Sequence, residues 1–458
     1  MIELPRKIKI PSTDKERRQP PPGTRTAEEE IPEREPRSTF LSFSPPSIGE
    51  EEIAEVVDTL RSGWITTGPK VERFEREFAS FVGAPAAQAV SSGTAALHLS
   101  LLSLGIGPGD GVITTPMTFC STVHVIEHVG ARPILIDVEP DTLNIDPRRI
   151  EDALKCAMRN GQCEIKAIIP VHLYGHPCEM DQILDIAQKY RLAVIEDAAH
   201  ALPAKYKGRL IGSSIPQSVP PGRDNPQLDS DTLSGSSNPQ SPIRNPQLAC
   251  FSFYGTKNLT TGEGGMLTGP PEILKKARVL SLHGMSKDAW KRYSAEGSWF
   301  YEVVEAGFKY NLTDLCASLG LAQLRKLGKF HARRREIARR YDEAFSRVPQ
   351  LQAPTTRPEV DSAWHLYVLR LNLERLTLSR NCFIKELKAR SIGTSVHFIP
   401  IHLHPYYRDR FGWKPEDFPV AFREYQRLLS LPLHPGLEDR DVEDVIHTVL
   451  SVVQNHKR

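Results

Sequence analysis

An excess of charge of one sign is missing from this sequence of 458 residues: 58 Lys and Arg stand against 56 Asp and Glu. A surplus of positive charge is what draws a protein onto nucleic acid, so no nucleic-acid partner is expected. Long apolar runs are missing too. None reaches the roughly 18 residues that a membrane-spanning helix needs, so no membrane partner is expected. The N-terminus, MIELPRKIKIPSTDKERRQPPPG, has no apolar core of the kind found in a secretory signal. A cytoplasmic protein is the expectation. No C-x-x-C pair occurs among Cys120, Cys156, Cys163, Cys178, Cys250, Cys316 and Cys382. They read as reduced core thiols rather than disulfides or metal ligands, and no metal is expected.

Aromatic residues are scarce in two stretches. Residues 1–39 are rich in Pro, Arg and Glu and cannot bury enough apolar area to offset their ordering entropy. They read as a disordered arm. Residues 213–246 are dominated by Ser, Pro, Asn and Gln, with Asn-Pro-Gln at Asn225, Asn238 and Asn245. The triplets are unevenly spaced, which argues against a structural repeat. This is a loop insertion, with a lid over the site as the alternative.

Between these stretches the patterning is regular. Ser47 and Glu50 resemble a capping box ahead of a helical face formed by Ile53, Val56, Val57 and Leu60, ending at Gly63. Apolar runs at Val112–Thr115, Ile134–Val138, Ala167–Val171 and Ala193–Glu196 then alternate with helical stretches such as Pro147–Met158 and Glu179–Tyr190. This rhythm predicts an α/β large domain, residues 40–328, with a mainly parallel central sheet flanked by helices. Residues 329–458 predict a smaller α+β domain: a helix at His331–Phe345, a strand-like run at Trp364–Leu371, a helix at Arg380–Arg390, a strand near Thr394–Phe398 and a last helix from about Asp439. In parallel sheets ligands bind at the carboxyl ends of the strands, so the chemistry should follow the apolar runs.

Three segments carry that chemistry. FSFYGTKNLTTGEGG (Phe251–Gly265) sets Lys257 between aromatic and small residues, with no neighbouring charge. Most lysines are solvated surface charges, but a partly buried one can lose its proton near neutrality and form a Schiff base. AVIEDAAHA ends a buried strand at Asp197, either as the N-cap of Ala198–Ala201 or as a carboxylate needing a cationic partner such as a protonated pyridine nitrogen. VSSGTAALHLSLLSLG runs a strand through Ser91, Ser92, Gly93 and Thr94 into a helix. That turn is an ordinary N-cap or an anion site for a phosphate.

With EDAAH, SFYGTKNLTTGEGG and GFKYNLTD together, the chain from about Phe40 onward resembles the DegT/DnrJ/EryC1/StrS family of sugar aminotransferases, fold-type I (aspartate-aminotransferase-like) pyridoxal-phosphate enzymes. The resemblance implies pyridoxal 5'-phosphate as cofactor, Lys257 as its Schiff-base lysine, Asp197 facing the pyridine nitrogen and His200 near the ring hydroxyl. It implies phosphate contacts from Gly93, Thr94 and Ser252, and Phe119 stacked on the ring. Asn311 matches an asparagine that reaches the phosphate of the neighbouring subunit, implying a homodimer with shared sites. In SVHFIPIHLHPYY, His397 and Tyr407 are candidates for the sugar site, with packing as the alternative, and Tyr254 is a further one. The implied reaction moves an amino group from a donor such as L-glutamate to a keto group of a nucleotide-linked sugar, UDP-, dTDP- or GDP-, for polysaccharide or glycoconjugate synthesis. The rivals are a sugar dehydratase of the same family, which would carry His in place of Lys257, and a non-catalytic protein on this scaffold. The long insertion and Cys316, where a polar residue is expected, are the departures from the family pattern.

Overall fold

The apolar runs of the first half pair into one sheet. The computed structural model describes residues 37–160, 163–213, 246–285 and 300–458. The strands in chain order are β1 (Ala87–Val90), β2 (Asp110–Thr114), β3 (Arg132–Leu135), β4 (Glu164–Ile168), β5 (Ala193–Asp197), the short β6 (Lys205–Tyr206) and β7 (Arg209–Leu210), β8 (Gln247–Ser252) and β9 (Gly265–Thr268). Seven of them form the sheet β1-β9-β8-β5-β4-β2-β3. β9 runs antiparallel to both neighbours, and the pairings from β8 through β5, β4 and β2 to β3 are parallel.

Successive side chains in a strand point to opposite faces, and here both faces are packed. Val112, Ile195, Leu248 and Cys250 join one apolar cluster, while Ile113, Val194, Ala249 and Phe251 join another. Helices supply the covering layers. α1 (Glu50–Ser62) and α2 (Pro69–Val82) precede the sheet; α3 (Gly93–Ser103), α4 (Ser121–His128), α5 (Pro147–Asn160) and α6 (Met180–Tyr190) fill successive crossovers. α7 (Pro271–Ser281) follows β9. The α/β expectation is met.

After α8 (Asp314–Phe345), β10 (Leu351–Gln352), β12 (Tyr367–Leu371) and β13 (Leu428–Leu431) make a small sheet, while β11 (Val360–Asp361) pairs with β6. α9 (Arg380–Ala389), α10 (Pro405–Phe411), α11 (Pro419–Tyr425) and α12 (Asp439–Asn455) complete the chain. Ile337, Tyr341 and Phe345 of α8 pack with Leu369, Phe383, Leu429 and Val449 in a separate core.

Several local expectations shift. The cap of α1 is Gly49, whose N–H donates to Glu52 at 2.7 Å, not Ser47 with Glu50; the Ser47 carbonyl is taken by Gln323. Three successive glutamates open this helix, so sequence spacing could not select the closing one. The apolar face of α1 is also turned outward: Ile53 is 48% and Leu60 55% exposed. Its buried side is polar, with Glu52 accepting from Gln323 and Lys326 of α8. The helix expected from His331 begins at Asp314 and runs 32 residues without a break, so position 328 lies inside it. The strand expected near Thr394–Phe398 is reduced to one bridge, Ser395 to Ser430. β12 starts at Tyr367 and not at Trp364: Trp364 holds a left-handed φ of 47°, and the N–H groups of His365 and Leu366 both go to the Tyr174 carbonyl. Of the cysteines, all free, Cys178 and Cys250 are buried while Cys156 and Cys382 are exposed, so the core reading fits only some. The N-terminal arm up to residue 36 and residues 214–245 of the insertion lie outside the described residues.

Candidate active site

β1, β5 and β8 all end at the same edge of the sheet, at Val90, Asp197 and Ser252. The turn after Val90 sits tightly against the end of β8. A Cβ added at Gly93 would meet Ser252 Cβ at 2.9 Å, so only glycine lets the segments close. Ser92 caps α3 by accepting the Ala95 N–H at 3.0 Å. The turn is thus a true N-cap, and it still presents the first amides of α3, at Gly93 and Thr94, to an anion. Thr94 is exposed.

Asp197 is buried and accepts from Thr122 Oγ1 at 2.7 Å and from the Ala199 N–H at 3.2 Å. Burial raises its pKa, and among the described residues no cation makes an ion pair with it. Lys257 follows β8 in a turn closed by its own N–H on the Tyr254 carbonyl at 2.9 Å, which leaves the Tyr254 ring 51% exposed. Lys257 is half-buried, and desolvation brings its amine down to about 8 against the opposing pull of Asp197. Part of the population is therefore unprotonated near neutrality, as Schiff-base chemistry requires.

His200 is buried against Phe398, with ring centroids 5.8 Å apart, and its Nδ1 accepts the Tyr174 N–H at 3.3 Å. The proton then belongs on Nε2. Burial, with the Lys257 charge nearby, holds this ring well below the ordinary imidazole range. His397 is lowered to about 4 by the same two causes. Its Nδ1 lies 2.8 Å from Ser430 Oγ, its ring stacks on Phe43, and its carbonyl accepts from the Tyr174 hydroxyl. Asp197, Lys257, His200 and His397 therefore share one electrostatic environment.

Phe119 is 57% exposed with its ring 5.9 Å from that of Phe398. Asn311 lies beside the end of β1, bridged to Val90, and donates to Thr67 Oγ1 at 2.6 Å. Tyr407 is not presented to the site: it is 1% exposed in an apolar cluster and stacked on His124. Its exposed neighbour Tyr406 instead donates to Glu127 at 2.5 Å. Sequence reasoning missed Thr122, Tyr174, Asn258, His365 and Phe398. Asn258 and Phe398 lie within segments already singled out but beside more conspicuous residues, Lys257 and His397, while Thr122, Tyr174 and His365 come from segments with no glycine-rich or charged motif.

Comparison with known proteins shows the family and the fold. Residues 46–217 and 244–450 match the DegT/DnrJ/EryC1/StrS aminotransferase family. The chain is 49% identical over 420 residues to the spore coat polysaccharide biosynthesis protein SpsC of Bacillus subtilis, covering 91% of this chain and 98% of that protein. It is also 49% identical over 422 residues to MJ1066 of Methanocaldococcus jannaschii, covering 92% of this chain and all of that one. Among solved structures, the putative sugar aminotransferase Spr1654 of Streptococcus pneumoniae in its PMP form superposes with a TM-score of 0.77 at 34% identity, over 91% of this chain and 99% of that one.

Proposed function

The chain belongs to the DegT/DnrJ/EryC1/StrS aminotransferase family and is a pyridoxal-phosphate-dependent transaminase, and we propose that it transfers the amino group of L-glutamate to the keto group of a nucleotide-linked sugar. The observation that carries this reading is the pairing of a lysine lowered to about 8 with a buried carboxylate that lacks a cation in contact, at the carboxyl edge of a parallel sheet. The donor set fits the cofactor. Gly93, Thr94 and Ser252 offer amides and a hydroxyl to its phosphate, Asp197 suits a protonated ring nitrogen, and Phe119 is open for stacking.

When bound, pyridoxal phosphate supplies an aldehyde carbon that captures amines and a ring that draws in an electron pair. The protein supplies the rest. The Lys257 amine would hold the cofactor covalently and, once freed by the donor amine, would carry the proton that transfer requires. Asp197 would keep the ring nitrogen protonated; the Thr122 hydroxyl and the Ala199 N–H hold its carboxylate in place, with the Thr118 hydroxyl behind Thr122. Tyr254, exposed in the Lys257 turn, and His397, which shares the electrostatic environment of Lys257, are the residues we assign to the sugar. The nucleotide is a uridine, thymidine or guanosine diphosphate, and the product feeds polysaccharide or glycoconjugate synthesis.

We place the enzyme in the cytoplasm, in keeping with its free thiols. It works as a homodimer in which Asn311 reaches the phosphate site of the neighbouring subunit. The exposed Ile53 and Leu60 on the outward face of α1 support that assembly, since adjoining exposed apolar residues can mark a subunit contact. A panel of keto-sugar nucleotides with glutamate, read by 2-oxoglutarate release, tests the proposal. Turnover with simple keto acids and with none of the sugars would overturn it.

A further inference from the structure

A hydrogen-bonded bridge joins the Lys257 turn to the His200 ring. Asn258, the residue after Lys257, is buried and commits its amide nitrogen twice: Nδ2 donates to the Leu202 carbonyl at 2.9 Å and the Ala363 carbonyl at 2.8 Å. Its Oδ1 therefore faces His365 Nδ1, 3.2 Å away. That ring nitrogen must carry the proton, because an amide oxygen only accepts. The His365 backbone is held at both ends. Its N–H donates to the Tyr174 carbonyl at 3.0 Å, and its own carbonyl accepts from the buried Arg334 at 3.3 Å.

The His365 ring lies against that of His200, with centroids 4.3 Å and planes 36° apart. Tyr174 closes the circuit: its carbonyl takes the His365 N–H while its own N–H goes to His200 Nδ1. His200 is thus pinned between His365 and Phe398 in the tautomer that keeps a proton on Nε2. The charged or titratable groups facing His365 are His200, Lys257, Arg334 and His397. Burial foremost, then these neighbours, keep its ring neutral, so it acts through its N–H and its shape rather than through a charge.

We propose that Asn258 and His365 are positioning residues that hold His200, as a neutral Nε2–H donor, in register with the Lys257 amine. The inference rests on the cofactor reading above, in which His200 meets the hydroxyl oxygen of the cofactor ring. A donor on that oxygen competes with the proton shared between it and the lysine nitrogen. It thereby lowers the pH at which the visible band of the bound cofactor changes. A loosened His200 raises that pH.

The test is a spectrophotometric pH titration of the holoenzyme and three variants. His365→Phe keeps a ring against His200 but loses the N–H to Asn258. Its transition should move up by about half a pH unit or more, roughly threefold in proton affinity. Asn258→Ser removes the same bond from the other side and should shift in the same direction. His365→Asn puts an amide N–H where the ring N–H stood and should return the transition towards wild type. A folded His365→Phe enzyme with a wild-type transition overturns the proposal, as does His365→Asn shifting as far as His365→Phe. Should His365→Phe not fold, Asn258→Ser against wild type and His365→Asn decides the same question. A wild-type protein with no cofactor band overturns the cofactor reading and this inference with it. A normal wild-type band with unmoved variants overturns the positioning role alone.

Discussion

Thr122 donates its hydroxyl proton to Asp197 at 2.7 Å and lies 2.7 Å from the Thr118 hydroxyl, so Thr118 must be the donor in that second bond. The two threonines form a directed chain that ends on the carboxylate. Thr122→Val removes the terminal donor at almost constant volume. The rate of the half-reaction with glutamate should fall about tenfold, the equivalent of a lost hydrogen bond to a charged group. Stopped-flow absorbance measures it, and an unchanged rate would show that the backbone of Ala199 suffices to hold Asp197.

The pKa of Lys257, about 8, fixes the sign of two pH effects. Covalent uptake of pyridoxal phosphate by the cofactor-free protein should quicken as pH rises and level off above that value, because only the free amine reacts. The unfolded chain, with an ordinary lysine pKa of 10.5, binds more protons than the folded one between about 8 and 10.5. Stability of the cofactor-free protein should therefore rise with pH across that window. Lys257→Met should remove both the uptake and this part of the slope, read by absorbance and by urea denaturation.

The outward face of α1 predicts how the protein assembles. A double change, Ile53→Glu with Leu60→Glu, leaves the buried Glu52 network with α8 untouched. The isolated subunit should fold as before while the dimer dissociates, visible as a halved mass in sedimentation. Activity should then depend on protein concentration. An unchanged mass would place the subunit contact elsewhere.

Two tyrosines, one buried and one exposed, should respond in opposite ways. Tyr407 is packed among Met117, Val123 and Ile401, and Tyr407→Ala should cost about 3–5 kcal/mol of stability, as for other large-to-small core changes. Tyr254 is half-exposed beside Lys257, and Tyr254→Ala should leave the melting temperature nearly unchanged while raising KM for the sugar nucleotide. Thermal melts and steady-state kinetics on both variants separate the roles.

The parts of the site that could be read in advance are those where local chemistry is unusual in the chain. Asp197 and Ser252 close apolar strands, Gly93 opens a helix, and Lys257 lacks a neighbouring charge. Local pattern alone exposes such residues, and it also exposed the α/β rhythm. Thr122, Tyr174, Asn258 and His365 were hidden because their roles exist only through contacts between distant segments. Nothing within a few residues of Asn258 tells that its amide will reach the Ala363 carbonyl. Helix α1 misled for a related reason. Amphipathicity reports two faces, but which one meets the core was decided by the carboxylate of Glu52 finding Gln323 and Lys326.

Helix α8 is continuous over 32 residues, about 48 Å at the standard rise. Its first residue, Asp314, takes the N–H groups of Gly68, Lys70 and Val71, capping α2 from across the molecule where Gly68 has no side chain to do so. Its last turns are locked in the core formed with α9, α12 and the small sheet. The rod therefore works as an axle rather than a hinge. Arg334, about two-thirds of the way along it, donates to the His365 carbonyl, so a roll of α8 would displace that carbonyl.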